Sequence, residues 1–171
     1  AGRVDPELLD VVADRGVGIV LMHMQGAPRT MQDEPTYDDV VEEVARFLIE
    51  RVDAAERAGI DRASVCVDPG IGFGKTVDHN LALLAHLRAL VERAGTPVLV
   101  GASRKRFLGA ILRDVAGAVG EPPPERRDDA TLAAVVWALD AGARIVRVHD
   151  VRAMVRVARV ADAIAGHVKQ S

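Results

Sequence analysis

The sequence of 171 residues predicts an α/β protein built around a parallel sheet. Three observations lead to this class. Four short apolar runs have the composition of strands buried on both faces, and stretches with helical periodicity separate them. A glycine stands between each helical stretch and the strand that follows it, at Gly16, Gly59, Gly95 and Gly142. Repeated alternation of helix and strand is typical of parallel β/α units.

The predicted strands are continuous apolar runs, and they lie at residues 18–24, 63–67, 97–101 and 144–148. The predicted helices lie at residues 6–14, 37–58, 80–94, 106–113 together with 129–141, and 153–165. A stretch at about 114–128 contains three consecutive prolines and is predicted to be a surface loop within one strand-to-strand connection.

Composition excludes several classes of protein. A hydrophobic content of 49% predicts a globular chain with a core, and a net charge of −3 gives no basic surface for nucleic acid. The single cysteine, Cys66, lies in a predicted strand and is expected to be a buried thiol. The apolar runs are shorter than the roughly 20 residues of a membrane span, and charged residues interrupt the opening of the chain. We therefore expect no membrane partner and a cytoplasmic location.

Polar or unusual residues end every predicted strand. These endings are residues 22–25, 68–70, 103–106 and 147–150. In barrels and in open α/β sheets, ligands bind at the carboxyl ends of the strands. The sequence therefore predicts one site to which all four strands contribute.

Residues 68–76, Asp-Pro-Gly-Ile-Gly-Phe-Gly-Lys-Thr, form a glycine-rich loop directly after a predicted strand. Its Gly-Lys-Thr ending suggests a nucleotide-binding P-loop, but that motif needs a glycine where this chain has Pro69. Two interpretations remain for Asp68. Its carboxylate caps the turn that follows, or it accepts two parallel hydrogen bonds from a guanidine-like edge such as that of a pterin.

Two basic groups are candidates for anion binding. Lys105 lies between two arginines at a strand-to-helix turn, and the alternatives are a solvated basic cluster or a site for an anion at a helix N-terminus. Arg147 and His149 leave the same face of a strand. They either pair with a carboxylate such as Asp150 or clamp a phosphate or pyrophosphate.

The histidines show no spacing typical of metal ligands, so no zinc site is predicted. His23 is expected to be a core or loop histidine rather than a ligand, and alternation sends it to the face opposite Met22. Met22 is a candidate apolar wall for a flat heterocycle. The remaining histidines outside the strand endings are expected at the surface; they are His79, His86 and His167.

Five motifs together resemble the dihydropteroate synthase family. The motifs are the loop at 68–76, Gly-Ala-Ser-Arg-Lys-Arg-Phe-Leu-Gly at 101–109, Arg-Val-His-Asp-Val at 147–151, Leu-Met-His-Met-Gln-Gly at 21–26 and Pro-Arg-Thr-Met-Gln at 28–32. The resemblance runs from the first residue to about Ile164. It implies a (β/α)₈ TIM barrel and a transferase of folate biosynthesis. That enzyme condenses p-aminobenzoate with 6-hydroxymethyl-7,8-dihydropterin pyrophosphate and releases pyrophosphate.

The resemblance also assigns roles to particular residues. It implies pterin binding by Asp68, Met22, Phe73, Gly101 and Lys105. It implies pyrophosphate binding by Arg147 and His149, aminobenzoate binding by Lys105 and Arg106, and catalytic roles for Lys105, Arg147 and His149. Many members have serine where this chain has Arg106. Mg²⁺ is expected on the substrate pyrophosphate and the other half of the barrel, with no metal ligand in this chain, and the full-length form is expected to be a homodimer that acts on small molecules.

The length departs from the family pattern. A (β/α)₈ barrel takes about 250 residues and eight strands, whereas this sequence predicts four. We therefore interpret residues 1–171 as a single partial domain, the C-terminal half of such a barrel, with little or no activity alone. The alternatives are a related methyltransferase domain that binds pterin or folate, and a half-barrel module that binds without catalysis.

Overall fold

The computed structural model describes residues 7–115 and 119–168. It confirms the α/β prediction, with short parallel strands separated by helices. The strands are β1 (Ile19–Met22), β2 (Val65–Asp68), β3 (Leu99–Val100) and β4 (Ile145–Val146). Each overlaps a predicted strand and is shorter than the apolar run that predicted it. β2 also extends one residue beyond its run, to Asp68.

The strands are neighbours in the order in which they occur along the chain. β1 pairs in parallel with β2, with Met22 opposite Asp68, and β3 pairs in parallel with β4. An isolated parallel bridge between Val67 and Val98 connects β2 to β3. A sheet that winds in one direction is typical of barrels, whereas doubly wound sheets reverse their strand order at a switch point.

The helices are α1 (Glu7–Arg15), α2 (Val40–Arg57), α3 (Val77–Ala85), α4 (Leu87–Ala94), α5 (Arg106–Ile111), α6 (Asp128–Asp140) and α7 (Val151–Val168). The prediction of one helix at 80–94 is wrong. Thr76 caps α3 four residues before the predicted start, and the chain leaves helical geometry at His86 before α4 begins. Pro6, the first residue of another predicted helix, lies outside the described residues.

Helices cover one face of the sheet. Valines of β2, of β3 and of the position just before β3 are completely buried and share one apolar cluster with leucines of α2, α3 and α4; they are Val65, Val67, Val98 and Val100. Burial of each such side chain stabilises the fold by about 1.5–3 kcal/mol. The helix-covered face therefore fixes the strands, and through them the positions of the strand ends.

The opposite face of the sheet is open at its margins. Val20 on β1 is 42% exposed and Ile145 on β4 is 43% exposed. Within the described residues, β1 and β4 each have a strand neighbour on one side only. Both margins of this apolar face are therefore exposed, and such a surface is normally covered by protein.

The connection between α5 and α6 includes the loop predicted at about 114–128, of which residues 116–118 lie outside the described ones. Its last part is a 3₁₀ turn at Pro124–Arg126 followed by the buried Arg127. Arg127 donates from Nε to the carbonyl of Pro122 and from Nη1 to the carbonyl of Arg104. This end of the loop is therefore anchored to the turn after β3. No helix in the described part of the chain is long and apolar enough to cross a membrane.

Candidate functional site

The strand register brings the predicted polar endings together at one edge of the sheet. Met22 lies beside Asp68 in the β1–β2 ladder, and the N–H of Arg147 donates to the carbonyl of Val100 next to Gly101. Residues of β1, β2, β3 and β4 thus line one continuous rim. The predicted convergence is observed in the geometry, while the chemical role of each residue stays a prediction.

Asp68 is the most buried ionisable group of this rim, with 1% of its surface exposed. Its Oδ1 accepts a hydrogen bond from the N–H of Gly70 at 2.8 Å, and its Oδ2 lies 3.1 Å from Nη2 of Arg147. Burial raises the pKa of the carboxyl, although the Gly70 N–H and the positive charges of Arg147 and Lys105 oppose the shift. The turn-capping interpretation therefore applies to Oδ1, and Oδ2 faces the site.

Arg147 crosses in front of β3 to reach Asp68. A Cβ atom at position 101 would lie 2.7 Å from Nη2 of Arg147, so a larger residue there would displace the guanidinium from its observed position. Arg147 does pair with a carboxylate, as one of the two interpretations predicted, but the partner is Asp68 rather than Asp150, whose Oδ1 accepts the N–H of Ala153 in α7. With 52% of its side chain exposed, Arg147 remains open to a ligand.

His149 lies at the same rim, next to the turn after β3. Its Nδ1 is 2.9 Å from Oγ of Ser103, and its backbone N–H donates to the same oxygen. Ser103 is buried, and in the sequence it is only the first residue of a polar strand ending. Its hydroxyl in fact orients the His149 ring and leaves Nε2 for other partners.

Lys105 extends across the glycine-rich loop. Its Nζ lies 3.6 Å from the centre of the Phe73 ring, a cation–π contact. Its stem passes Gly72, where a Cβ atom would lie 2.8 Å from Cδ of the lysine. Burial, and then the charge of Arg147, lower the pKa of Lys105, while Asp68 opposes that shift.

The two arginines beside Lys105 point away from it. Arg104 makes two hydrogen bonds to Asp128, at 2.8 and 2.9 Å. Arg106 is highly exposed and lies 3.9 Å from Glu121. Arg104 therefore has a carboxylate partner of its own, whereas Arg106 only approaches Glu121, which Arg113 bonds at 2.6 Å.

Lys75 is a central residue of the loop. In the sequence it is only the lysine of an incomplete P-loop motif. It is 3% exposed, and its Nζ contacts the carbonyls of Gly70 and Phe73 at 3.1 Å and Nδ1 of His23 at 3.0 Å. Burial is the main reason that its pKa falls to about 7. A sequence signal existed, because glycines alternate with larger residues at 71, 73 and 75.

His23 is a buried histidine in contact with Lys75, as the core-or-loop interpretation predicted. His79, expected at the surface, is partly buried: it forms a capping box with Thr76 and packs edge-on against Tyr37 at 4.9 Å. The Tyr37 hydroxyl donates to the carbonyl of Gly74, and burial, helped by Glu43, raises its pKa to about 12.

Asn80 fixes the loop from the side of α3. Its Oδ1 accepts the N–H of Gly72 at 2.7 Å, and its Nδ2 donates to the carbonyl of Thr76 at 2.6 Å. Gln32 donates to the carbonyl of Gly72 at 2.8 Å. The glycine-rich loop is therefore held rigidly by side chains from three directions.

Gly70 offers a direct test of how tightly the loop is packed. Its φ is +69°, and a Cβ atom there would overlap the carbonyl oxygen of His23. We expect Gly70→Ala to lower the free energy of unfolding by about 3 kcal/mol or more, from strain and backbone displacement together. Gly16→Ala is the matched control, because Gly16 has φ +59° with nothing within 4 Å and should lose only about 1 kcal/mol. Urea denaturation followed by circular dichroism measures both, and equal losses would contradict the packing argument.

Asp68 is held by Gly70 and Arg147, and the described residues contain no group of three His, Cys, Asp or Glu side chains that could hold a metal ion. The ionisable groups of the rim thus offer one buried carboxylate, two cations and a histidine. Such a set suits a neutral ligand with an N–H edge joined to an anionic group.

Comparison with known proteins identifies similar chains. The family model described as pterin binding enzyme matches residues 1–149. The dihydropteroate synthase of Mycobacterium leprae is 50% identical over 166 residues, which cover 95% of this chain and 56% of that protein. The chain spans about half the length of the curated relatives it matches.

Solved structures give the same result. Xanthomonas albilineans dihydropteroate synthase with 4-aminobenzoic acid has a TM-score of 0.82 and 48% identity, over 94% of this chain and 54% of that one. The complex of the enzyme from this organism with 7,8-dihydropteroate has a TM-score of 0.81 and 47% identity, over 94% of this chain and 55% of that one. At this identity the likeness extends beyond the fold to the sequence.

Proposed function

Because the chain belongs to the pterin-binding enzyme family, we propose that it supplies the C-terminal half of the active site of a dihydropteroate synthase. That enzyme joins p-aminobenzoate to 6-hydroxymethyl-7,8-dihydropterin pyrophosphate and releases pyrophosphate. The observation that carries the proposal is the adjacency of the buried Asp68 to Arg147 and Lys105 at one rim. A carboxylate there recognises an N–H edge, while cations a few ångströms away receive an anionic leaving group.

Asp68 would bind the pterin through its aminopyrimidine edge. Each carboxylate oxygen has one partner from the chain, which leaves lone pairs for the 2-amino and ring N–H groups. Met22 lies beside Asp68 in the sheet and supplies an apolar wall for the flat ring. Gly101 has no side chain and therefore leaves space for the pterin ring next to this wall.

Arg147 and His149 would bind the pyrophosphate. When the pterin takes over the oxygens of Asp68, the guanidinium can exchange its carboxylate for the two negatively charged phosphate groups. Ser103 holds the His149 ring so that Nε2 donates to the same anion. The exposure of both side chains suits a ligand that must leave after each turnover.

Lys105 and Phe73 would form the border between the pterin and the aminobenzoate. A cleft of about 550 Å³ adjoins them and is lined in part by Gly72, Arg106 and Phe107. Arg106 stands at the first position of α5, where its charge and the helix N-terminus both favour a carboxylate. Binding of the benzoate carboxylate would draw Arg106 from its long contact with Glu121.

The chemistry needs no covalent intermediate on the protein. Departure of pyrophosphate leaves positive charge on the pterin methylene, so the residues of the rim act by positioning the amine and stabilising separated charge. Mg²⁺ bound to the pyrophosphate would supply further charge neutralisation, as it commonly does when substrate phosphates are its main ligands.

The proposal includes the closure of the open face. The one-directional strand order and the exposed margins of the inner face are consistent with four β/α units of an eight-stranded barrel. The remaining units would cover the margins at Val20 and Ile145 and complete the pterin pocket. A homodimer of the complete enzyme and a cytoplasmic location belong to the same proposal.

The test is the affinity for pterin pyrophosphate, measured by calorimetry. We expect Arg147→Ala or Lys105→Ala to weaken binding at least about 100-fold, because each variant removes a charged contact. Arg93→Ala is the control, since Arg93 pairs with Glu42 on the helix layer and should bind as the wild type does. Tighter binding of a methylated folate than of pterin pyrophosphate would instead favour a methyltransferase domain. Binding of neither ligand would favour a non-catalytic module.

A further inference from the structure

We propose that Lys75 is a positioning residue of the pterin site: its amine holds the glycine-rich loop in the shape that orients both Asp68 and Lys105. The inference rests on the proposed function for what the site binds. It assigns Lys75 no contact with substrate, because only 3% of the residue is exposed.

The amine of Lys75 has three neighbours, which are the carbonyls of Gly70 and Phe73 and Nδ1 of His23. In its charged form the amine has three protons, and each has an acceptor within 3.1 Å when the His23 ring carries its own proton on Nε2. Two of the acceptors belong to the loop itself and the third to the chain after β1. Lys75 therefore connects the loop to a neighbouring strand.

One branch of this network leads to Asp68. The N–H of Gly70 donates to Oδ1 of Asp68, while the carbonyl of the same residue accepts from Lys75. The backbone N–H of His23 in turn donates to the carbonyl of Asp68 at 3.0 Å. Lys75 thus fixes the orientation of the Gly70 backbone, and this orientation decides whether its N–H reaches the carboxylate.

The other branch leads to Lys105. The carbonyl of Phe73 accepts from Lys75, and the Phe73 ring lies under the Lys105 ammonium. A turn of the Phe73 backbone would move the ring and remove the surface on which Lys105 rests. A single buried amine therefore controls two functional side chains that lie 37 positions apart in the sequence (68 and 105).

For a purely structural role, an apolar side chain would have a lower free-energy cost of burial than lysine. Burial of a cation is unfavourable, and the pKa of Lys75 falls to about 7 mainly for this reason. The titratable groups that face it in the described residues are His23 after β1, Asp68 on β2 and Lys105 before α5. Retention of a costly group at such a place is typical of functional sites.

The first arm of the test needs no ligand. Amide hydrogen exchange of Gly70 reports the bond to Asp68, and we expect it to be at least about tenfold faster in Lys75→Met than in the wild type. His23→Leu should have a similar effect, whereas His23→Asn should retain protection because its amide oxygen can accept from Lys75. Val52→Ala, a core change in α2, is the control for general destabilisation. Unchanged exchange of Gly70 in both Lys75→Met and His23→Leu would overturn the inference.

The second arm measures affinity for pterin pyrophosphate in the same proteins. We expect Lys75→Met and His23→Leu to bind about 10- to 100-fold more weakly, with Val52→Ala within twofold of the wild type. If the wild type fails to bind, the proposed function fails while the exchange arm still decides the role of Lys75. If the wild type binds and Lys75→Met binds equally well, the positioning role is wrong.

A third measurement separates the charge of Lys75 from its volume. A lysine whose pKa is lower in the folded than in the unfolded state loses protons on folding between about pH 7 and its ordinary value of 10.5. Wild-type stability should therefore rise relative to Lys75→Met as the pH increases through this window. A stability difference that is constant with pH would show that the buried amine is not under the strain that the inference requires.

Discussion

The chain alone is expected to show no dihydropteroate synthase turnover, and addition of the missing half of a barrel is expected to restore it. The physical reason is the open inner face. Val20 and Ile145 are each more than 40% exposed at the two margins, and β1 and β4 have unpaired edges within the described residues. The rim contributed by this chain surrounds a pterin on one side only, so a bound substrate would remain largely in water and catalysis by charge stabilisation would be weak.

The experiment combines this chain with a polypeptide that contains the first four strand–helix units of a related dihydropteroate synthase. Pyrophosphate release is then followed with both substrates and Mg²⁺ present. We expect a rate at least about 1,000-fold above that of either half alone, since positioning and desolvation together contribute many kilocalories per mole.

Two controls sharpen this result. Arg147→Ala in the mixture should abolish the restored rate, because the active site would assemble without its pyrophosphate ligand. Measurement of molecular mass tests whether two copies of this chain close on each other instead. Clear turnover by the chain alone would contradict the prediction, whatever its oligomeric state.

The fold was predictable because its signals are local. Continuous apolar runs identify the strands, and the glycines between helices and strands mark the boundaries. The common rim also followed, because parallel strands place their carboxyl ends at one edge. The break at His86 was not predicted, since the apolar pattern of residues 80–94 continues across it and only the backbone geometry reveals it.

The contacts within the site were less predictable than its location. Asp68 and Arg147 are separated by 79 positions, and no local pattern indicates that they form an ion pair across β3. The sequence allowed Asp150 as a partner because it is close in the chain, yet its carboxylate caps α7. Lys75 was missed for a related reason: lysine is usually exposed, and only the packed loop explains why this one is buried.

The substitution Asp68→Asn is expected to abolish useful pterin binding while leaving the fold at least as stable as the wild type at neutral pH. Asparagine has nearly the same shape, and its amide oxygen can still accept the N–H of Gly70. It offers one acceptor where the pterin edge needs two, and it carries no charge to strengthen either bond. We expect a loss of affinity on the order of 100-fold or more, from about 3 kcal/mol of charge-assisted hydrogen bonding.

The stability part of this prediction follows from the direction of the pKa shift. Burial raises the pKa of Asp68 above its ordinary value of 3.8, more than Gly70, Arg147 and Lys105 lower it. The folded state therefore binds the proton more tightly than the unfolded state, and stability from this group is lost as the pH rises from about 3.8 through the raised value. The wild type carries more of this cost at pH 7 than at pH 4, whereas asparagine carries none at either pH.

Urea denaturation at pH 4 and pH 7, with calorimetric titration of pterin pyrophosphate at pH 7, measures both parts. The free energy of unfolding of Asp68→Asn minus that of the wild type should be larger at pH 7 than at pH 4, so the variant should be relatively more stable at pH 7. A variant that loses stability at pH 7 would indicate that the Asp68–Arg147 ion pair outweighs the desolvation of the carboxylate. A variant that binds normally would remove Asp68 from the pterin site. Greater stability together with lost binding would mean that the carboxylate is retained for recognition of the pterin although it lowers the stability of the fold.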